Sequence, residues 1–166
     1  MEVIRDWISN ISINTVDEIL PIHQIYCWLI TEDNNIIIVS KDWIKRQLPW
    51  WKPNISENAL DTLLREVYEE TWINIDNLLD STKLFGYYRI NENWEQYLQL
   101  RFILRLPYVV DSSALSPNEV LWEEDHIKFI KIVPIIHLSE YIPRLPKSDE
   151  FKSFTESVNI SHEEKM

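Results

Sequence analysis

The sequence has 166 residues, with 16 Lys plus Arg against 27 Asp plus Glu, and so a formal charge of −11. Hydrophobic residues make up 45% and charged ones 26%, a balance that fits one folded domain with its own core and excludes a disordered chain. The negative charge argues against a general nucleic-acid or anionic-membrane binder, which needs a basic surface.

Residues 1–20 read as an N-terminal extension with two competing patterns. Ile4, Ile8 and Ile11 have helical spacing, whereas Ile11 and Ile13 alternate like a strand. The opening residues lack the basic and apolar pattern of a signal peptide. His23–Ile30 predicts a strand, 31–35 a polar turn and Ile36–Val39 a second strand, together a hairpin. The only cysteine, Cys27, falls inside the first of these apolar runs and reads as a buried thiol. A charged loop over 40–46 and a Pro-bracketed loop over 49–53 lead to Asn54 and Ser56, either of which suits a helix cap.

Leu60, Leu63, Leu64, Val67 and Thr71 then fall at i, i+3, i+4, i+7 and i+11, the stripe of a helix with one buried face. Leu84–Ile90 predicts a strand, 91–94 a hairpin turn, and 97–106 the clearest strand of the chain. Leu98, Leu100, Phe102, Leu104 and Leu106 share one face of it, and Tyr97, Gln99, Arg101, Ile103 and Arg105 share the other. An acidic loop spans 111–125, Ile127–Ile136 predicts another strand, and Phe151, Phe154 and Val158 mark a helix over 149–158. Strands around a central helix, with neither repeats nor a linker, predict a single α/β (α+β) domain over 1–166, in which 148–166 forms a C-terminal helix and tail. No apolar run approaches the ~20 residues of a membrane span. A reduced, cytoplasmic enzyme or binding domain is expected.

The helix carries Glu66, Glu69 and Glu70 at i, i+3 and i+4. The 100° rotation per residue sets them about 120° from the leucine stripe. Three neighbouring carboxylates repel one another. Two arrangements accommodate them: a solvated acidic face, or a hard divalent cation with oxygen ligands.

The wider spacing separates the two. From Trp51, five residues lead to Glu57, and seven more to Arg65-Glu66, followed by Val67, Tyr68, Glu69-Glu70, Thr71, Trp72 and Ile73. This resembles the Nudix hydrolase box, Gly-x5-Glu-x7-Arg-Glu-U-x-Glu-Glu-x-Gly-U with U aliphatic. Every charged position over residues 51–73 matches without a gap. Leu48-Pro49-Trp50-Trp51-Lys52 likewise resembles the family's Leu-Pro-Gly-Gly-Lys.

The resemblance implies a Nudix-type α/β/α sandwich with a mixed central sheet. It also implies hydrolysis of the pyrophosphate linkage in a nucleoside diphosphate joined to another moiety, X. Glu57, Arg65, Glu66, Glu69 and Glu70 then form the catalytic set. Glu66, Glu69, Glu70 and the backbone carbonyl of Trp50 would ligate Mg²⁺ or Mn²⁺, and Arg65 would support the carboxylates. Lys52 is a candidate phosphate contact, and Arg101 and Arg105 are candidates on the polar face of their strand, whose other reading is plain solvent exposure. The general base would be a box glutamate or an acid of the later loop, where Glu119, Glu123 and Glu124 are candidates. His126 and His137 lack metal-ligand spacing. The expected partner is a small nucleotide, with neither nucleic acid nor membrane; a homodimer is compatible with this reading. The alternative is a non-catalytic Nudix-fold nucleotide-binding or sensor domain, for which the complete charged set has less use.

One glycine stands against eight tryptophans, where ordinary usage of ~7% gives roughly 12 glycines. Both departures from the box, Trp51 and Trp72, replace glycine, as does Trp50. Trp43 follows Asp42, and Trp94 follows Asn93 at a hairpin tip, where turn chemistry favours glycine. Five of the eight thus stand at glycine positions. Two explanations remain open: genuine tryptophans, with Trp50 or Trp51 stacking on a base, or UGA codons that the source organism reads as glycine. The abundance of Ile and Asn fits the AT-rich genome that the second requires.

Overall fold

The structure, a computed structural model, describes residues 3–9, 20–40, 42, 44–53, 58–71, 82–110 and 129–158, with only the backbone of 69–71. Alternating and apolar segments form eight strands: β1 (Ile4–Ser9), β2 (Ile22–Ile30), β3 (Asn35–Ser40), β4 (Arg46–Gln47), β5 (Trp50–Trp51), β6 (Thr82–Glu92), β7 (Glu95–Arg105) and β8 (Phe129–Pro134). The helices are α1 (Ala59–Thr71), α2 (Leu138–Tyr141) and α3 (Asp149–Val158). The sheet runs β1-β6-β7-β2-β3-β4, with β5 also on β2 and β8 on β3. It is mixed: β2 and β7 are parallel, and the other pairs antiparallel.

The period-2 alternation of β2 assigns its side chains to two cores. Ile25, Cys27 and Leu29 join Leu98, Leu100, Phe102 and Leu104 beneath Leu63 and Val67 of α1. Trp28 and Ile30 join Phe85 and Ile103 beneath Phe151 and Phe154 of α3. Helices on both faces explain why 27–30 is wholly buried rather than alternating. The α/β/α sandwich expected from the box is present. Burial pushes the Cys27 thiol far up, so it is inert.

Three details add to the sequence reading. Ile4 and Ile8 lie in a strand, because β1 completes its hydrogen bonds along β6, from Ile4 opposite Asn91 to Ser9 opposite Gly86. The cap of α1 is Asn58, whose Oδ1 accepts the Asp61 N–H at 2.9 Å; Asn54 and Ser56 lie outside the described residues. The β2–β3 hairpin forms, but β3 pairs over its whole length with β8.

Gly86 sits where the β6–β7 register shifts. A Cβ there would collide with the Trp7 ring and the Ile8 carbonyl, so the chain's one glycine permits close approach of β1. The positive-φ positions among the described residues are Asn34 (60°), Asn93 (53°) and Trp94 (68°). No helix among these residues is long and apolar enough to cross a membrane.

Candidate active site

The segment Leu48–Lys52 is held by backbone bonds to β2. The Cys27 N–H donates to the Pro49 carbonyl at 3.0 Å, and Trp50 and Trp51 pair with Tyr26 and Ile25. This clamp fixes Lys52 one residue past β5, on an open cavity of about 430 Å³ lined also by Ile22, His23, Gln24, Pro53 and Tyr97. His23 stacks on Tyr97 with ring centres 4.1 Å apart and planes 15° from parallel. The Tyr97 hydroxyl donates to Glu92 at 2.9 Å, and the Tyr26 hydroxyl donates to Gln24 Oε1 at 3.2 Å. Partial burial, followed by the Glu92 carboxylate, raises the Tyr97 pKa, so the phenol stays protonated as a donor.

Five residues after Pro53, the chain enters α1 at its Asn58 cap. The helix is regular through Thr71. Positions 66, 69 and 70 therefore share one face, as their spacing predicts. Arg65 Nη1 lies 2.8 Å from Glu66 Oε1, with the two side chains 33% and 20% exposed, so Arg65 supports a carboxylate of the cluster. The side chains of Glu69 and Glu70 are not among those described. Glu57, Trp72, Glu119, Glu123, Glu124 and His126 lie outside the described residues. His137 is exposed, its Nδ1 3.4 Å from Glu140.

Positions 66, 69 and 70 place three glutamates on one helical face. Such an all-oxygen set fits a hard divalent cation rather than a thiolate-seeking one.

The polar face of β7 is not a solvated surface along its length. Its middle passes under α3. Arg101 is 4% exposed, and its Nε donates to Glu150 Oε2 at 3.1 Å. The same oxygen accepts the Trp28 indole N–H at 2.8 Å. The Arg101 guanidinium lies 3.7 Å over the Tyr26 ring and 4.9 Å over Tyr88, and Arg5 covers Tyr88 at 4.6 Å. Burial raises the pKa of both tyrosines, with Arg101 opposing the rise. Arg105 donates to Asn34 Oδ1 at 2.9 Å. The arginine charges singled out from sequence are thus engaged within the protein, while Lys52 lies at the cavity. His23, Gln24 and Tyr97 were not singled out. The one available signal was their place at the two strand ends beside the Lys52 loop.

No protein-family model matches the sequence, and no curated protein is similar to it by sequence. Solved structures are similar in fold. The Bacillus subtilis pyrophosphohydrolase BsRppH is 14% identical with a TM-score of 0.57, covering 92% of this chain and 93% of that one. The NUDIX domain of Shewanella oneidensis NrtR, complexed with ADP ribose, is 11% identical with a TM-score of 0.54, covering 74% and 79%. A C. elegans Ap4A hydrolase is 10% identical with a TM-score of 0.54, covering 83% and 95%. These likenesses show the Nudix fold.

Proposed function

On the Nudix fold that it shares with these structures, we propose that this chain is a divalent-metal-dependent hydrolase of the pyrophosphate linkage in a nucleoside diphosphate joined to another moiety. The observation that carries the proposal is the uninterrupted set Glu57, Arg65, Glu66, Glu69 and Glu70, three of whose carboxylates fall on one face of the observed helix α1. Neighbours of the same fold include a pyrophosphohydrolase, an Ap4A hydrolase and a domain holding ADP ribose, all consistent with a nucleotide substrate.

Glu66, Glu69 and Glu70, with the Trp50 carbonyl, would hold Mg²⁺ or Mn²⁺. When bound, such an ion screens phosphate charge and lowers the pKa of water. The protein's own residues supply the rest. Arg65 fixes Glu66 and offsets the repulsion between neighbouring carboxylates. Lys52 brings a cation to the substrate phosphates at the cavity rim, which a protein of charge −11 needs in order to admit an anion. The His23–Tyr97 stack offers a flat wall for the nucleoside, and Gln24 supplies amide donors beside it. Arg101 and Arg105 are instead paired with Glu150 and Asn34 within the fold.

Glu69→Gln and Glu70→Gln test this assignment. Each should lower Mg²⁺-dependent turnover by about tenfold or more while leaving the thermal midpoint intact. Turnover equal to that of the parent chain would refute the metal role.

A further inference from the structure

Positive φ is costly for a residue with a bulky side chain, and three described positions adopt it. Two are asparagines, the residue type that tolerates it after glycine. The third is Trp94. Asn93 and Trp94, at φ 53° and 68°, are the two central residues between the paired Glu92 and Glu95. Both central residues at positive φ define a type I′ hairpin turn, whose favoured sequence is Asn-Gly. Packing gives Trp94 nothing in return, because it is 100% exposed.

Trp51 shows a different misfit. It is 4% exposed, and its indole N–H is buried with no hydrogen-bond partner among the described residues. Buried indoles ordinarily find an acceptor. Trp28 does so at Glu150, and Trp7 does so at Ser153 Oγ, 2.9 Å away. Trp51 also occupies the first glycine position of the box. Two unrelated structural faults therefore fall on tryptophans that stand at glycine positions of the sequence. Trp7 and Trp28, whose indole N–H groups are satisfied, are not in that set, whereas Trp50, which is, stacks on Tyr26 with ring centres 5.8 Å apart.

We infer that the polypeptide made in its own cells carries glycine at position 94, and by the same codon at positions 43, 50, 51 and 72. The codon is UGA, read there as glycine. The inference at 94 rests on backbone geometry alone and is independent of the hydrolase proposal. At 50, 51 and 72 it rests also on the resemblance to the box. Its functional consequence lies in the loop before Lys52. Glycine at 50 and 51 removes two indole side chains from the segment before Lys52, as close approach of a phosphate requires.

The deciding experiment is tandem mass spectrometry of the protein isolated from its source cells, reading the peptides that contain positions 94 and 51. Glycine at both is expected. Tryptophan at either, or UGG codons at these positions, overturns the inference. Neither readout depends on activity, so a failed inference and a failed hydrolase proposal are distinguishable. The physical premise has its own test in the recombinant chain carrying tryptophan. Trp94→Gly should raise the thermal midpoint by about 2–4 °C, and Trp94→Ala, still strained at positive φ, by less. An unchanged or lower midpoint for Trp94→Gly removes the strain on which the inference stands and overturns it.

Discussion

Trp28 and Trp51 lie on opposite faces of one sheet, both sealed from solvent, and their indole N–H groups fare differently. Trp28 stacks on Phe154 with ring centres 4.0 Å apart and donates to Glu150, which also holds Arg101. Trp51 packs against the α1 side, where no described residue accepts its N–H. A position built for tryptophan satisfies both the ring and the nitrogen. A position that merely contains one satisfies the ring alone. The α3 side of the sheet is accordingly the structural half of the molecule. The β5–α1 side carries the segment that resembles the Nudix box and the unsatisfied Trp51 indole.

The largest test of this contrast removes the centre of the α3 side. Glu150→Ala leaves the buried Arg101 charge uncompensated and the Trp28 N–H without an acceptor. It should cost about 3–5 kcal/mol in urea unfolding; a cost under about 1 kcal/mol would mean that the network is not what holds α3. Trp28→Phe and Trp51→Phe sharpen the comparison, since each keeps a ring and deletes an N–H. The first should cost about 1.5–3 kcal/mol, because the lost bond goes to a charged acceptor. The second should be neutral or stabilising, because the deleted donor was unsatisfied. Equal losses at both sites would break the contrast.

The smallest effect lies in the loop between β3 and β4. The Asp42 carboxylate accepts the backbone N–H groups of Lys45 and Ile44 at 2.9 and 2.8 Å, which hold its pKa below the usual carboxylate value. Its contribution is therefore present above that value and is lost as pH falls through the depressed one. Asp42→Asn should flatten the acid limb of the stability profile below about pH 4 and leave neutral pH almost unchanged. An acid limb identical to the parent's would contradict the assignment.

Periodicity made the principal elements legible. The stripe through Leu60, Leu63 and Val67 predicts α1, the alternation through Leu98–Leu106 predicts β7, and the phenylalanine spacing predicts α3 at its observed limits. Contacts distant in sequence were not legible. Arg101 alternates outward on β7, and only the fold shows that Glu150, far along the chain, covers it. Strand β1 was ambiguous because its apolar residues fit either period until β6 supplied a partner. For the site, the spacing of the carboxylates could be read directly. The cavity wall of His23, Gln24 and Tyr97 could not, because two strands build it and neither segment carries a motif. The glycine positions were legible as turn chemistry, and Trp94 at φ 68° gives that reading its backbone geometry.

The proposed catalysis by the glutamates of α1 is tested most directly with a panel of substrates. A panel of nucleoside diphosphates linked to different groups, and of nucleoside polyphosphates, is incubated with Mg²⁺ and two forms of the protein. One is the chain as written; the other carries glycine at positions 43, 50, 51, 72 and 94. The glycine form should release phosphate, pyrophosphate or nucleotide from at least one member, an activity abolished by chelation and weaker in the tryptophan form. Binding of a nucleotide by both forms, with turnover of none, would contradict it.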